Sequence, residues 1–93
     1  MNEEFFNDPE FQELIKEYLV YLKKLVVEIE NGFENKDYAL VRKLGHNIKG
    51  SGGGYGFSEL TEIGRIIEMG GKDQDNEQIR SGLIELREFL SKY

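Results

Sequence analysis

His46 is the only histidine in the 93-residue sequence, and a neutral imidazole is a good nucleophile near neutral pH. At helical spacing its neighbours on one face are Arg42 one turn before, Lys49 and Gly50 one turn after, and Gly53 two turns after. That stripe is cationic at its ends and nearly bare of side chains around the ring. Lys36, Arg42, Lys43 and Lys49 against the single Asp37 give residues 36–49 a net charge of +3, which leaves −9 for the rest of a chain whose total is −6. A positive patch on an acidic protein suits an anion.

Each of these residues alone carries little. A lone surface histidine is usually a solvated side chain, Lys49 is ordinary surface, and glycines mark loops. Their joint placement matters, because bulk is missing where a partner would have to approach. Other chemistries fail on spacing. The glycine run contains neither Gly-x-x-x-x-Gly-Lys-[Ser/Thr] nor Gly-x-Gly-x-x-Gly, and no strand precedes it. Ser51 lies about 140° around a helix from His46, and no carboxylate is evidently placed to orient the ring, so a Ser–His catalytic pair is not expected. One histidine and no cysteine leave no metal, thiol or disulfide chemistry to expect.

The elements that must hold this stripe read as helices. Asp8-Pro9 is an N-cap followed by proline at the first helical position. Phe11, Leu14/Ile15, Tyr18, Leu22, Leu25, Ile29 and Phe33 then recur at helical steps, with Gly32 as the expected stop. Val20 and Val27 make a second stripe that could face another neighbour. A second helix opens at residues 35–37, with Leu40/Val41, Leu44 and Ile48 inward, a small core position at Ser51 or Gly52, and Tyr55 beyond. His46 lies about 160–200° from Leu44 and Ile48 and is expected in solvent. Glycine propensity would end this helix near Gly50. Ser58 is expected to cap a third helix carrying Glu59 and Glu62 in its first turn and Leu60, Ile63 and Ile66/Ile67 inward, ended by Gly70-Gly71. Asp75 with Gln78 resembles a capping box for a fourth helix bearing Ile79, Leu83, Leu86, Leu90 and Tyr93. No alternating β pattern appears. The expected fold is all-α: an antiparallel four-helix bundle, residues 1–93 as one domain, with a short N-terminal extension.

Composition narrows function further. At 10.8 kDa there is room for one modest core and no deep enzymatic cleft. A pI near 4.8 disfavours nucleic acid and anionic membranes as partners. No run of 18 apolar residues could span a bilayer, and the acidic start Met1-Asn2-Glu3-Glu4 is unlike a signal peptide, so a cytoplasmic location is expected.

The segment His46-Asn-Ile-Lys49-Gly50-Ser51-Gly52-Gly53-Gly54-Tyr55-Gly56-Phe57-Ser-Glu-Leu60 resembles the signature of histidine-containing phosphotransfer (HPt) domains, His-x-x-Lys-Gly-Ser-Ser-Ala-x-x-Gly-x-x-x-Leu. His46, Lys49, Gly50, Ser51, Gly56 and Leu60 match in identity and spacing. Asp37 and Ile67-Glu68 are similar to family positions as well, and the likeness spans about residues 11–90. Gly45, Gly52 and Gly53 depart from the family's alanine, serine and alanine, but each keeps the side chain small.

The resemblance implies a phosphorelay intermediate. Nε2 of His46 would take a phosphoryl group from the aspartyl-phosphate of a response-regulator receiver domain and pass it to another, with a hybrid histidine kinase upstream. Lys49 would neutralise the phosphoryl charge, and Arg42, Lys43, Gly50 and Gly53 would border the docked receiver. This chain would hold no cofactor. Mg²⁺ would sit on the receiver. A monomeric carrier, not an enzyme with turnover, is expected. The alternatives are a module that docks a receiver without carrying phosphate, and a purely structural bundle.

Overall fold

A computed structural model describes residues 8–93; the expected N-terminal extension, residues 1–7, lies outside the described residues. Helix α1 spans Pro9–Glu34, α2 Tyr38–Gly52, α3 Ser58–Asp73 and α4 Asn76–Leu90, with a 3-10 turn at Gly53–Tyr55 between α2 and α3. There is no strand among the described residues. The helices run up-down-up-down. Tyr18 of α1 meets Ser51 near the end of α2, and Glu59 at the start of α3 meets Lys92 just past α4.

The inward positions expected from periodicity form the core. Leu22, Ile29, Val41, Ile48, Leu60, Ile67, Ile79 and Leu86 are fully buried, joined by Tyr18, Leu25, Leu44, Ile63 and Leu83, and by Phe89, which lies outside the expected stripe. Leu14 and Tyr93, expected inward, are exposed, because α1 turns Ile15 toward the core instead and the chain leaves α4 at Leu90. Val20 and Val27 stand 59% and 57% exposed and meet no further element.

Several helix ends differ from the expected ones. Gly32 does not stop α1. It is buried under Leu40 and Val41, and the helix continues to Glu34, where Lys36 takes the left-handed conformation that turns the chain. Gly70-Gly71 does not end α3, which runs on to Asp73 with left-handed Gln74 as its C-cap. Both glycines are buried, Gly70 against Ile79 and Gly71 against the backbone of Arg42. Phe57, not Ser58, occupies the N-cap position of α3, with no side-chain cap. Asp8, Asp37 and Asp75 cap the other three helices through their carboxylates. Only half of the capping box at Asp75 forms, since the Gln78 amide reaches Ile66 O instead.

The pairing of α2 with α3 decides the site. A Cβ on Gly45 would lie 2.5 Å from the Glu68 nitrogen, one on Gly71 2.5 Å from the Arg42 nitrogen, and one on Gly64 would overlap the Lys49 nitrogen. The two helices therefore meet backbone to backbone at three points, each about one turn from the next. No residue with a side chain fits there, so these glycines allow an approach that alanine would forbid. The helical cost of glycine, about 1 kcal/mol each in isolation, is offset by this contact.

Candidate functional site

His46 sits mid-way along α2, on the face opposite Leu44 and Ile48, and its side chain is 64% exposed. This is the solvent position expected. The ring is not free, however. Glu68, brought across from α3 by the Gly45 contact, places Oε2 2.8 Å from Nδ1. Its other oxygen, Oε1, lies 2.7 Å from Lys49 Nζ. A carboxylate orienting the ring was not expected from spacing. The signal was present in the likeness of Ile67-Glu68 to a family position, but distance in the chain concealed the contact.

Glu68 is only 15% exposed, against 35% for Lys49. The Lys49 ammonium, and secondarily the His46 ring, hold its carboxyl below the ordinary carboxylate value, against the opposing effect of burial. It is therefore ionised at neutral pH and can only accept hydrogen bonds. Nδ1 of a neutral ring must then carry the hydrogen, which leaves the lone pair on Nε2, the nitrogen turned away from Glu68.

Beyond His46 the surface is low. Gly50, in the last turn of α2, would meet nothing within 4 Å if it bore a Cβ, and Gly54 is equally open. Gly53 has ordinary right-handed backbone (φ −62°, ψ −35°), and a Cβ there would touch only Thr61 Oγ1, at 3.3 Å. The α-helix runs past Gly50 to Gly52 and tightens into the 3-10 turn. Gly56 then reverses the chain at φ 87°, where glycine is favoured. Gly52 is buried against Leu60, where a Cβ would overlap the leucine side chain.

A ledge of aromatic side chains missed by sequence reasoning flanks this low surface. Tyr18 and Tyr55 stack with centroids 4.2 Å apart and planes 10° from parallel, and exposed Tyr21 lies 6.1 Å from Tyr18. Tyr18 Oη donates to Ser51 Oγ at 2.7 Å, and Ser51 Oγ donates in turn to Asn47 O. Burial pushes the Tyr18 hydroxyl above its ordinary pKa, so it remains a donor. α1 is thereby pinned to the last turn of α2.

On the other side of His46, Arg42 and Lys43 border a groove between α2 and α3, together with Tyr38, Glu68, Gly71 and Lys72. Arg42 lies one turn before His46, as expected. No group of acids and histidines that could hold a metal occurs among the described residues, and no helix among them is long and apolar enough to cross a membrane.

The class is that of a helical bundle presenting an exposed imidazole mid-helix, beside a lysine and a stretch without side chains. The chain belongs to the Hpt domain family, whose sequence profile matches residues 13–92, nearly its whole length. No curated protein and no solved structure matches it. Membership implies phosphotransfer within two-component phosphorelays, in which Hpt domains are phosphocarrier modules working with receiver domains and histidine kinases.

Proposed function

We propose that His46 is the phosphoryl acceptor of this Hpt domain and that it takes its phosphoryl group from the aspartyl-phosphate of a receiver domain and returns it to another. The observation that carries the reading is the Nδ1–Glu68 hydrogen bond on a 64% exposed ring. In the neutral ring it leaves the lone pair on Nε2, on the side away from Glu68.

In the forward step the Nε2 lone pair forms a bond to phosphorus while the bond from phosphorus to the receiver's carboxyl oxygen breaks. The electron pair of that bond leaves with the aspartate carboxylate. The ring becomes cationic as Nε2 loses its lone pair, and the Glu68 carboxylate on the Nδ1 hydrogen stabilises that charge. Lys49, tethered to the same carboxylate, stands one turn from Nε2 to neutralise the phosphoryl oxygens. The receiver supplies Mg²⁺ and the in-line geometry. This chain supplies position and charge, with no turnover of its own. Gly50 and Gly53 let the receiver approach, and half-buried Tyr55, backed by the buried Tyr18, offers it apolar surface beside exposed Tyr21.

The test is incubation with a phosphorylated receiver domain, followed by assay for acid-labile, alkali-stable phosphate on the chain. The protein should acquire it and His46→Gln should not. Label retained by His46→Gln would overturn the assignment. A wild-type protein that binds the receiver without labelling would favour a docking module instead.

A further inference from the structure

The groove on the α2 N-terminal side of His46 is cationic, unpaired and directional. Arg42, Lys43 and Lys72 border it, and none of the three forms an ion pair with any described residue, although Lys49, Arg65, Arg87 and Lys92 all do. The one acid on the groove wall, Glu68, is already shared between Lys49 and His46. The nearby carboxylates of Asp37 and Asp75 are engaged as helix caps. Asp37, Asp75 and the neighbouring Asp73 keep their charge, but none pairs with Arg42, Lys43 or Lys72, which leaves the three cations free for carboxylates from outside.

The shape permits an inserted chain. Gly71 packs on the Arg42 backbone, so the floor is main chain and the three cationic side chains stand around it. Tyr38, hydrogen-bonded through its hydroxyl to Asn76 Oδ1 at 2.6 Å, closes the end away from His46. From Tyr38 to His46 is about 12 Å of helix rise, the length of about three or four extended residues.

We infer that this groove holds an acidic segment of the protein partner, with two or three carboxylates laid along Arg42, Lys43 and Lys72 while the partner's reacting group stands over His46. The inference rests on the phosphorelay reading and adds the chemistry of the partner's rim. The rest of the chain carries strong negative charge, −6 overall, and repels an acidic partner wherever it meets another face. An acidic segment is therefore both attracted and oriented. Three cations on so acidic a protein are too few to hold a nucleic acid, whose binding depends on neutralising many phosphates.

The test reads binding apart from phosphotransfer. A hexaglutamate peptide is titrated into isotope-labelled protein, with hexalysine and inorganic phosphate as parallel probes, at about 20 mM and about 0.5 M NaCl. Hexaglutamate should saturate shifts at the amides of Ala39, Arg42, Lys43, Gly71, Lys72 and Gln74 at low salt and lose them at high salt. The triple variant Arg42→Gln, Lys43→Gln, Lys72→Gln should bind it at least about tenfold more weakly, in line with loss of electrostatic attraction. Lys72→Gln alone, on a different helix, should weaken it about threefold and serves if the triple variant misfolds. Shifts scattered over the surface, none at all, or equal affinity for inorganic phosphate would overturn the inference. A groove that ignores the peptide on a protein whose His46 still accepts phosphate sinks the groove alone. A groove that binds on a protein whose His46 cannot be phosphorylated sinks the phosphorelay reading alone.

Discussion

Gly45 and Glu68 touch through their main chains, one residue before the histidine and at the residue that holds it. A Cβ on Gly45 would stand 2.5 Å from the Glu68 nitrogen and 2.9 Å from its Cα. The carboxylate reaches Nδ1 and Lys49 Nζ together because the two helix backbones are this close.

This contact predicts opposite results at two glycines five residues apart. Gly45→Ala has no room and should destabilise the fold by about 1–3 kcal/mol, the usual range for overpacking. Gly50→Ala meets nothing and should stabilise α2 by up to about 1 kcal/mol. Denaturant unfolding of both variants is the check, and a stable Gly45→Ala protein would mean that α2 and α3 can separate cheaply.

Glu68 and Lys49 should separate in their effects. Glu68→Ala frees the ring, so ¹⁵N spectra of the imidazole should show the hydrogen spread over both nitrogens, and transfer to His46 should slow by about tenfold or more. Lys49→Ala leaves the Nδ1 hydrogen bond, so the tautomer should persist while transfer still slows, because phosphoryl charge loses its neutralising partner. Its stability should fall by about 0.5–1 kcal/mol, because a half-buried lysine is lost from beside the Glu68 carboxylate. An unaltered tautomer in Glu68→Ala would remove Glu68 from the ring's control.

Gly53 tests the approach path. Its φ of −62° is ordinary for L-residues, and Thr61 Oγ1 at 3.3 Å has to give only slightly for a methyl. Gly53→Ala should keep its helicity by circular dichroism and transfer at the wild-type rate. Gly53→Leu should also fold but should hold the receiver away, and catalytic geometry tolerates little displacement. Equal transfer by the leucine variant would place the docked partner elsewhere.

The depressed carboxyl of Glu68 gives a pH signature. Its folded value lies below the ordinary 4.5, so it contributes stability at any pH above 4.5 and loses that contribution only as pH falls through the lower folded value. The gap in melting temperature between wild type and Glu68→Gln should therefore persist from about pH 7 to about pH 5 and close only in more acidic solution. A gap that has already closed at pH 5 would be the wrong sign of shift.

Periodicity made the core and the solvent face of His46 readable, since Leu44, Ile48, Leu60 and Ile67 repeat at helical steps and are buried. The glycines were not readable in the same way. Gly32 and Gly70-Gly71 carry the local signature of helix stops, yet each is buried where another helix crosses. Propensity describes a residue's own turn, and these positions are decided by what lies across from it. Glu68 was hidden for a related reason. A partner 22 residues away has no spacing rule linking it to His46, and only the crossing of α2 and α3 creates one. The ledge of Tyr18 and Tyr55 joins residues still further apart in sequence.

The main-chain seam between α2 and α3 also has a consequence in time. Helix α1 is attached through side chains, with Tyr18 on Ser51 and Glu30 on Arg87 among its ties, whereas α2 and α3 share a contact that no side-chain rotation can loosen. Local openings draw on the least tightly held units first. Amide protons of α1 should thus exchange with solvent ahead of those around Gly45 and Gly64, as hydrogen–deuterium exchange would record, and the reverse order would contradict it. The histidine and its carboxylate lie on the two slow helices. The transfer centre would then outlast the transient peeling of its largest helix, a carrier whose working pair is kept on the part of the molecule that opens last.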